Sequence, residues 1–209
     1  MAKADKGKTT VIINNTEYNR KTLEFINTNE ITKLTKDPMN TFHKKVIGTI
    51  KQCQLIINKN QTKYVIQKKP QAPTLKAQIK LHKTGIPIRP VVNNINAPTY
   101  KLAKFLAKTI TSYLPLQHQY NVKNSTELAH DLKNITIRDE YQMITFDIKD
   151  LYVNIPIDET ISITKALLMA HNNNKNTTLQ MIQLIKTTLT QNYFTYEHMT
   201  TTYTNQKKE

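Results

Sequence analysis

A chain of 209 residues is long enough to bury a real core, in one domain or in one domain and part of a second, so it need not be a peptide-like or disulfide-dependent scaffold. Thirty Lys and Arg against 15 Asp and Glu leave a formal charge of +15, a surface that seeks polyanions, whether nucleic acid or an anionic membrane. There are three glycines, Gly7, Gly48 and Gly85, which excludes a glycine-rich loop cradling phosphates through backbone amides. Any phosphate must then be held by side chains or by metal. The single cysteine, Cys53, can make no internal bridge and reads as a small buried apolar residue. No apolar stretch approaches the roughly 20 residues that span a bilayer, and no N-terminal run has signal-peptide form. An intracellular, reducing setting without a membrane is expected.

In chain order, "TTVIINN" before Asn15 reads as a short strand. From Tyr18 to about Cys53 the apolar residues Leu23, Phe25, Ile26, Ile31 and Leu34, then Phe42, Val46, Ile47 and Ile50, recur mostly at helical spacing. Asp37-Pro38 divides them into two helices. Between Lys68 and Pro98 the prolines at 70, 73, 87, 90 and 98 exclude a helix. Within that segment "LKAQIKLHKTGIPIRPVV" predicts two strands joined by a turn at Thr84-Gly85, with Lys80, Lys83 and Arg89 close to the turn. Such a hairpin is either a solvated basic element, its prolines damping edge aggregation, or a phosphate-binding one. His82 reads as a packing or polar residue, because no second His or Cys lies at metal spacing.

The run "APTYKLAKFLAKTITSYL" is helical. At about 100° per residue, Lys101, Lys104 and Lys108 fall on one side and Leu102, Leu106, Ile110 and Tyr113 on the other. The lysine side faces water or a polyanion. Asn124 with Glu127 makes a capping-box-like start for a further helix. A strand is expected over Gln142 to Ile148, ending near Asp147. After Pro156, "DETISITKALLMA" and "LQMIQLIKTTL" predict two helices separated by a polar linker at His171 to Thr178. The aromatic, Thr-rich end predicts two short strands around Glu197-His198. Helices and strands mixed without βαβ alternation favour an α+β arrangement.

The acid in "MITFDIKDLYVNIP" interrupts an apolar run, and a buried carboxylate is costly unless it is paired or holds a metal. Asp147 is thus a candidate Mg²⁺ ligand, since magnesium takes one or two carboxylates plus phosphate oxygens. The alternative is a structural Asp capping the turn "DIKD".

Four blocks in order carry a family resemblance: "ADKG" at Ala4 to Gly7, "APTLKAQIKLHKTGIPIRPVV" at Ala72 to Val92, "APTYKLAKFLAK" at Ala97 to Lys108, and "FDIKDLYVNIPIDETI" at Phe146 to Ile161. Running nearly end to end, they resemble the reverse transcriptases of Penelope-like retroelements. The resemblance implies right-hand fingers with an incomplete palm: residues 1–142 as a fingers-like region, with the hairpin at 75–92 and the amphipathic helix at 98–114, and residues 143–209 as the start of the palm. It implies an RNA-directed DNA polymerase that adds dNTPs to a DNA primer on an RNA template with Mg²⁺ or Mn²⁺. Asp147 would be the first metal-binding carboxylate, with the Ile148 carbonyl as a further ligand. Asp150 would lie near the incoming triphosphate, and Tyr152 would exclude a 2′-hydroxyl. Lys80 and Arg89 would hold the β- and γ-phosphates, and Lys101, Lys104 and Lys108 would face nucleic acid.

Departures from the family pattern are also evident. Lys76 to Lys80 replaces the approach containing Gly and Pro that shapes the hairpin in the family. The chain stops at Lys207-Lys208-Glu209, about where the second palm motif should begin, and no Asp-Asp pair occurs. Two-metal catalysis would lack its clamp, so this chain is expected to be a polymerase fragment inactive alone. The alternative is a non-catalytic basic nucleic-acid-binding module. The "ADKG" block carries either a turn with Asp5 paired locally to lysine or a substrate contact.

Overall fold

In the computed structural model, residues 1–29, 31–114, 121–133, 135–136, 138, 140–148, 155–171, 174–196 and 202–204 are described. The chain begins with two short antiparallel strands, β1 (Ala2–Lys3) and β2 (Thr10–Val11). The turn between them passes through Gly7 at a φ of +76°, a conformation that only glycine adopts without cost. The Asn14 side chain accepts the Thr16 N–H at 2.9 Å and so caps α1 (Asn15–Thr28), with Glu17 favourably placed in its first turn. The division expected at Asp37-Pro38 is present: Asp37 accepts the Met39 N–H at 2.9 Å, and α2 (Met39–Gln52) starts there. Leu34 departs from the helical expectation, because it closes a short strand, β3 (Thr32–Leu34).

A further helix, α3 (Lys59–Val65), was not foreseen from periodicity. It is set by a capping box in which Gln61 N–H reaches Asn58 Oδ1 (2.9 Å) and Asn58 N–H reaches Gln61 Oε1 (3.0 Å). The proline-rich segment folds as the expected hairpin, β4 (Thr74–Ile79) and β5 (Ile88–Asn93), paired antiparallel over their whole length. The expected C-terminal strands are β6 (Tyr193–Thr195) and β7 (Thr202–Thr204); Glu197 and His198 lie outside the described residues. The five-stranded sheet runs β3-β7-β6-β4-β5, antiparallel except for the β4–β6 pair.

Four more helices complete the fold: α4 (Tyr100–Tyr113), α5 (Ser125–Lys133), α6 (Ile157–His171) and α7 (Lys175–Leu189). At the start of α5, Glu127 N–H bonds Asn124 Oδ1 as expected, while the Glu127 carboxylate accepts from Lys123 N–H rather than from Asn124. The linker after α6 is shorter than expected, with Asn174 already capping α7. Val46 and Ile50 of α2, Leu102 and Leu106 of α4, Leu168 of α6, and Met181 and Leu184 of α7 form one buried core. Residues on both sides of the boundary expected at 142 therefore share it. A smaller cluster of Ile26, Leu75, Phe194 and Tyr196 fastens α1 to the sheet. Phe42, packed against the first cluster, meets Tyr193 edge-on, ring centroids 5.7 Å apart. The fold is a mixed α+β arrangement, and among the described residues no helix is long and apolar enough to cross a membrane.

One expectation is overturned. Residues 141–148 form no strand, and Met143, Ile144, Phe146 and Ile148 are exposed, Phe146 to 91 %. The alternation Ile144, Phe146, Ile148 has strand period, but a strand also needs a neighbouring ladder. Among the described residues no strand pairs with this segment. Asp147 is accordingly exposed rather than buried, and the cost of burying a charge does not arise there.

Cys53 is fully buried, 3.7 Å from Gln183 Oε1, and burial pushes its thiol up to about 11. At about pH 8 it is almost entirely the unreactive thiol. A disulfide-exchange reagent is expected to label Cys53 at the rate of global unfolding, read by absorbance with and without urea. Immediate stoichiometric labelling of the folded protein would contradict this packing.

Candidate phosphate-binding hairpin

The hairpin register decides which side chains can act together. Leu75 pairs with Val92, Ala77 with Pro90 and Ile79 with Ile88, while Lys76 pairs with Val91 and Gln78 with Arg89. Because side chains alternate across a strand, the buried Leu75, Ala77 and Ile79 take one face. Lys76, Gln78 and Arg89 take the other. Lys80 extends the ladder by one step, its N–H bonding Pro87 O at 2.9 Å, so alternation places it on the face of Arg89. The two cations expected to act on one anion thus share a sheet face next to the turn. Pro90 fits because it sits on the edge strand opposite Ala77, whose N–H is directed to another partner.

That partner is Tyr18 of α1. Strand β4 is paired on its second edge with β6 at Thr74 and with the N-terminal arm at Ile79, through the Ala4 bridge and Asp5 N–H to Ile79 O at 2.9 Å. The peptide groups of Ala77 fall between these contacts. The Tyr18 hydroxyl accepts from Ala77 N–H at 2.8 Å and donates to Ala77 O at 3.2 Å, filling the gap. One turn along α1, Lys21 donates to Gly85 O and Ile86 O, both at 3.0 Å, and holds the turn itself. Gly85 accommodates its φ of +74°. Ile86, at +46°, is a β-branched residue in a region that disfavours it.

Asp5 is the acid that the sequence left between two readings. Its side chain is 1 % exposed, and its Oδ1 lies 2.9 Å from Arg89 Nη1. Neither carboxylate oxygen has a hydrogen bond of good geometry among the described residues, so the contact is an ion pair at close range rather than an aligned hydrogen bond. The pairing is therefore not to a neighbouring lysine. The Arg89 side chain is 52 % exposed.

Lys104 and Lys108 are exposed on α4 opposite the buried Leu102 and Leu106, and Lys101 is half-buried. Lys83 and His82 are exposed in the turn. Asp147 and Ile148 lie exposed in the irregular stretch, and Asp150 and Tyr152 lie outside the described residues. Among the described residues no three of His, Cys, Asp and Glu cluster as metal ligands. Tyr18 and Lys21, which also hold the hairpin, carry no signal of that role in their local sequence. The "ADKG" block was conspicuous, but its partner is far along the chain.

Strain at Ile86 is expected to be relieved by Ile86→Gly, which leaves the carbonyl bonded by Lys21 in place. Relief of roughly 1–3 kcal/mol, less the roughly 0.4–1 kcal/mol entropic cost of a more flexible unfolded chain, predicts a net gain of about 1 kcal/mol in urea denaturation. A loss of stability would show that Ile86 is not strained. In comparisons with family models, curated proteins and solved structures, nothing matches this chain.

Proposed function

We propose that this chain is the fingers and the first portion of the palm of an RNA-directed DNA polymerase of retroelement type. In the intact protein, a nucleotide passes from dNTP to a primer 3′-end on an RNA template, with Mg²⁺ supplied at Asp147. The observation that carries this reading is the hairpin: Lys80 and Arg89 share one face beside a turn, as a triphosphate-binding pair requires. The guanidinium suits bidentate phosphate contact and the lysine a point contact. The exposed Lys104 and Lys108 and the +15 charge suit a nucleic-acid partner. The resemblance of the four sequence blocks supplies the reaction class. Two-metal transfer needs more than one carboxylate, and no Asp-Asp pair occurs here, so nucleotide binding rather than turnover is the activity proposed for this chain itself.

A second reading is a non-catalytic module that binds nucleic acid through the hairpin and the α4 lysines. The exposed position of Asp147, off the sheet, favours it. Both readings imply binding that weakens steeply with salt, so salt dependence cannot separate them. Affinity for dTTP with Mg²⁺, measured by calorimetry, does. The polymerase reading expects Lys80→Ala and Arg89→Ala each to weaken it about tenfold, about 1.4 kcal/mol, and Asp147→Ala to remove the Mg²⁺-dependent part. Unchanged affinity in all three variants would contradict it and leave the binding module.

A further inference from the structure

We propose that Asp5 is a positioning residue for Arg89, holding one edge of its guanidinium so that the other edge is presented to a polyphosphate anion. The inference rests on the reading of Arg89 as a phosphate-binding group and adds the device that prepares it. Three observations converge on it. The N-terminal arm lies beside β4 with Ala4 bridged in parallel to Ile79, so alternation puts Asp5 on the face of Gln78 and Arg89. The Asp5 side chain is almost wholly buried, yet among the described residues no hydrogen bond satisfies its oxygens, and the cation it contacts is Arg89 at 2.9 Å. Arg89 nevertheless remains half-exposed.

Geometry then separates the guanidinium into two parts. Arginine carries five donors in a rigid planar fork, and the Asp5 contact is made at Nη1. Holding that nitrogen beside the carboxylate restricts where the fork can lie, and leaves its other donors to meet an anion at the half-exposed surface. An unrestrained arginine on an edge strand would lose its rotamer freedom when it bound an anion; here part of that loss is taken in folding. The carboxylate also subtracts charge from the site, so positioning and neutralisation oppose each other. The proposal is that positioning dominates, because an anion can meet the half-exposed Arg89 side chain directly while the buried Asp5 carboxylate is closed to such contact.

The test uses the whole chain and inorganic tripolyphosphate without metal, with affinity read by calorimetry for Asp5→Asn, Arg89→Ala and the double variant. Asp5→Asn is expected to weaken binding about fivefold, and to have no further effect once Arg89 is replaced. Rotation about the guanidinium bonds of Arg89 in the unaltered protein, followed by ¹⁵N NMR, is expected to be slower than in free arginine under the same conditions. This measurement stands even if Asp5→Asn does not fold. If Arg89→Ala leaves affinity unchanged, Arg89 is not a phosphate group, and both readings fall. If Arg89→Ala weakens binding but Asp5→Asn leaves it unchanged or tightens it, or if Arg89 rotates as freely as free arginine, the positioning role alone is overturned.

Discussion

The second edge of β4 is the constraint on which the rest of this structure depends. A two-stranded hairpin is marginal in water by itself, and β5 closes just one side of it. The other side is shared among three pieces of chain: β6 at Thr74, the N-terminal arm at Ile79, and between them a single side chain, Tyr18. A buried peptide without a partner would cost about as much as a lost hydrogen bond. The Tyr18 hydroxyl, able to donate and accept at once, serves both groups of Ala77. The helix that carries it also carries Lys21 to the turn and buries Ile26 against Leu75. Strand, turn and underlying core are thereby tied to one rigid element.

That rigidity has an electrostatic consequence. In a chain of net charge +15, mutual repulsion would spread long cationic side chains apart. On the hairpin, a buried carboxylate reaches Arg89 from the arm, while Lys21 is occupied by backbone carbonyls rather than left as another mobile charge. Removing Arg89 would leave the buried Asp5 charge stranded. The arm and the hairpin are therefore coupled more strongly than the short β1–β2 pairing suggests. The helical core built from α2, α4, α6 and α7 buries Leu102 and Leu106 of α4 and leaves Lys104 and Lys108 exposed.

Much of this was legible in the residues. Prolines on both sides of Thr84-Gly85 allow little except a hairpin, and the 3.6-residue spacing of Leu102, Leu106 and Ile110 leaves the face of α4 unambiguous. The missed α3 had its signal in Asn58 and Gln61, three residues apart. What could not be read were contacts between distant positions: Tyr18 with Ala77, Lys21 with the turn, Asp5 with Arg89. No local pattern encodes them, because each depends on how elements dock. The segment before Asp147 departs from its strand pattern for the opposite reason. Its flanking alternation is a true strand period, but periodicity describes one chain and a strand requires two. The Mg²⁺ expected at Asp147 therefore rests on family resemblance, whereas the juxtaposition of Lys80 and Arg89 rests on register.

Hydrogen exchange at the Ala77 amide tests most directly whether α1 and the arm hold the hairpin as a preformed surface. Ala77 N–H has a side-chain hydroxyl as its partner, so its exchange reports the docking of Tyr18. The account predicts that this amide exchanges as slowly as those of the β4–β5 ladder, through opening of the whole unit. Exchange at the rate of exposed loop amides, while the ladder stays protected, would mean that α1 does not clamp β4 and that the basic face is not held in advance of its ligand.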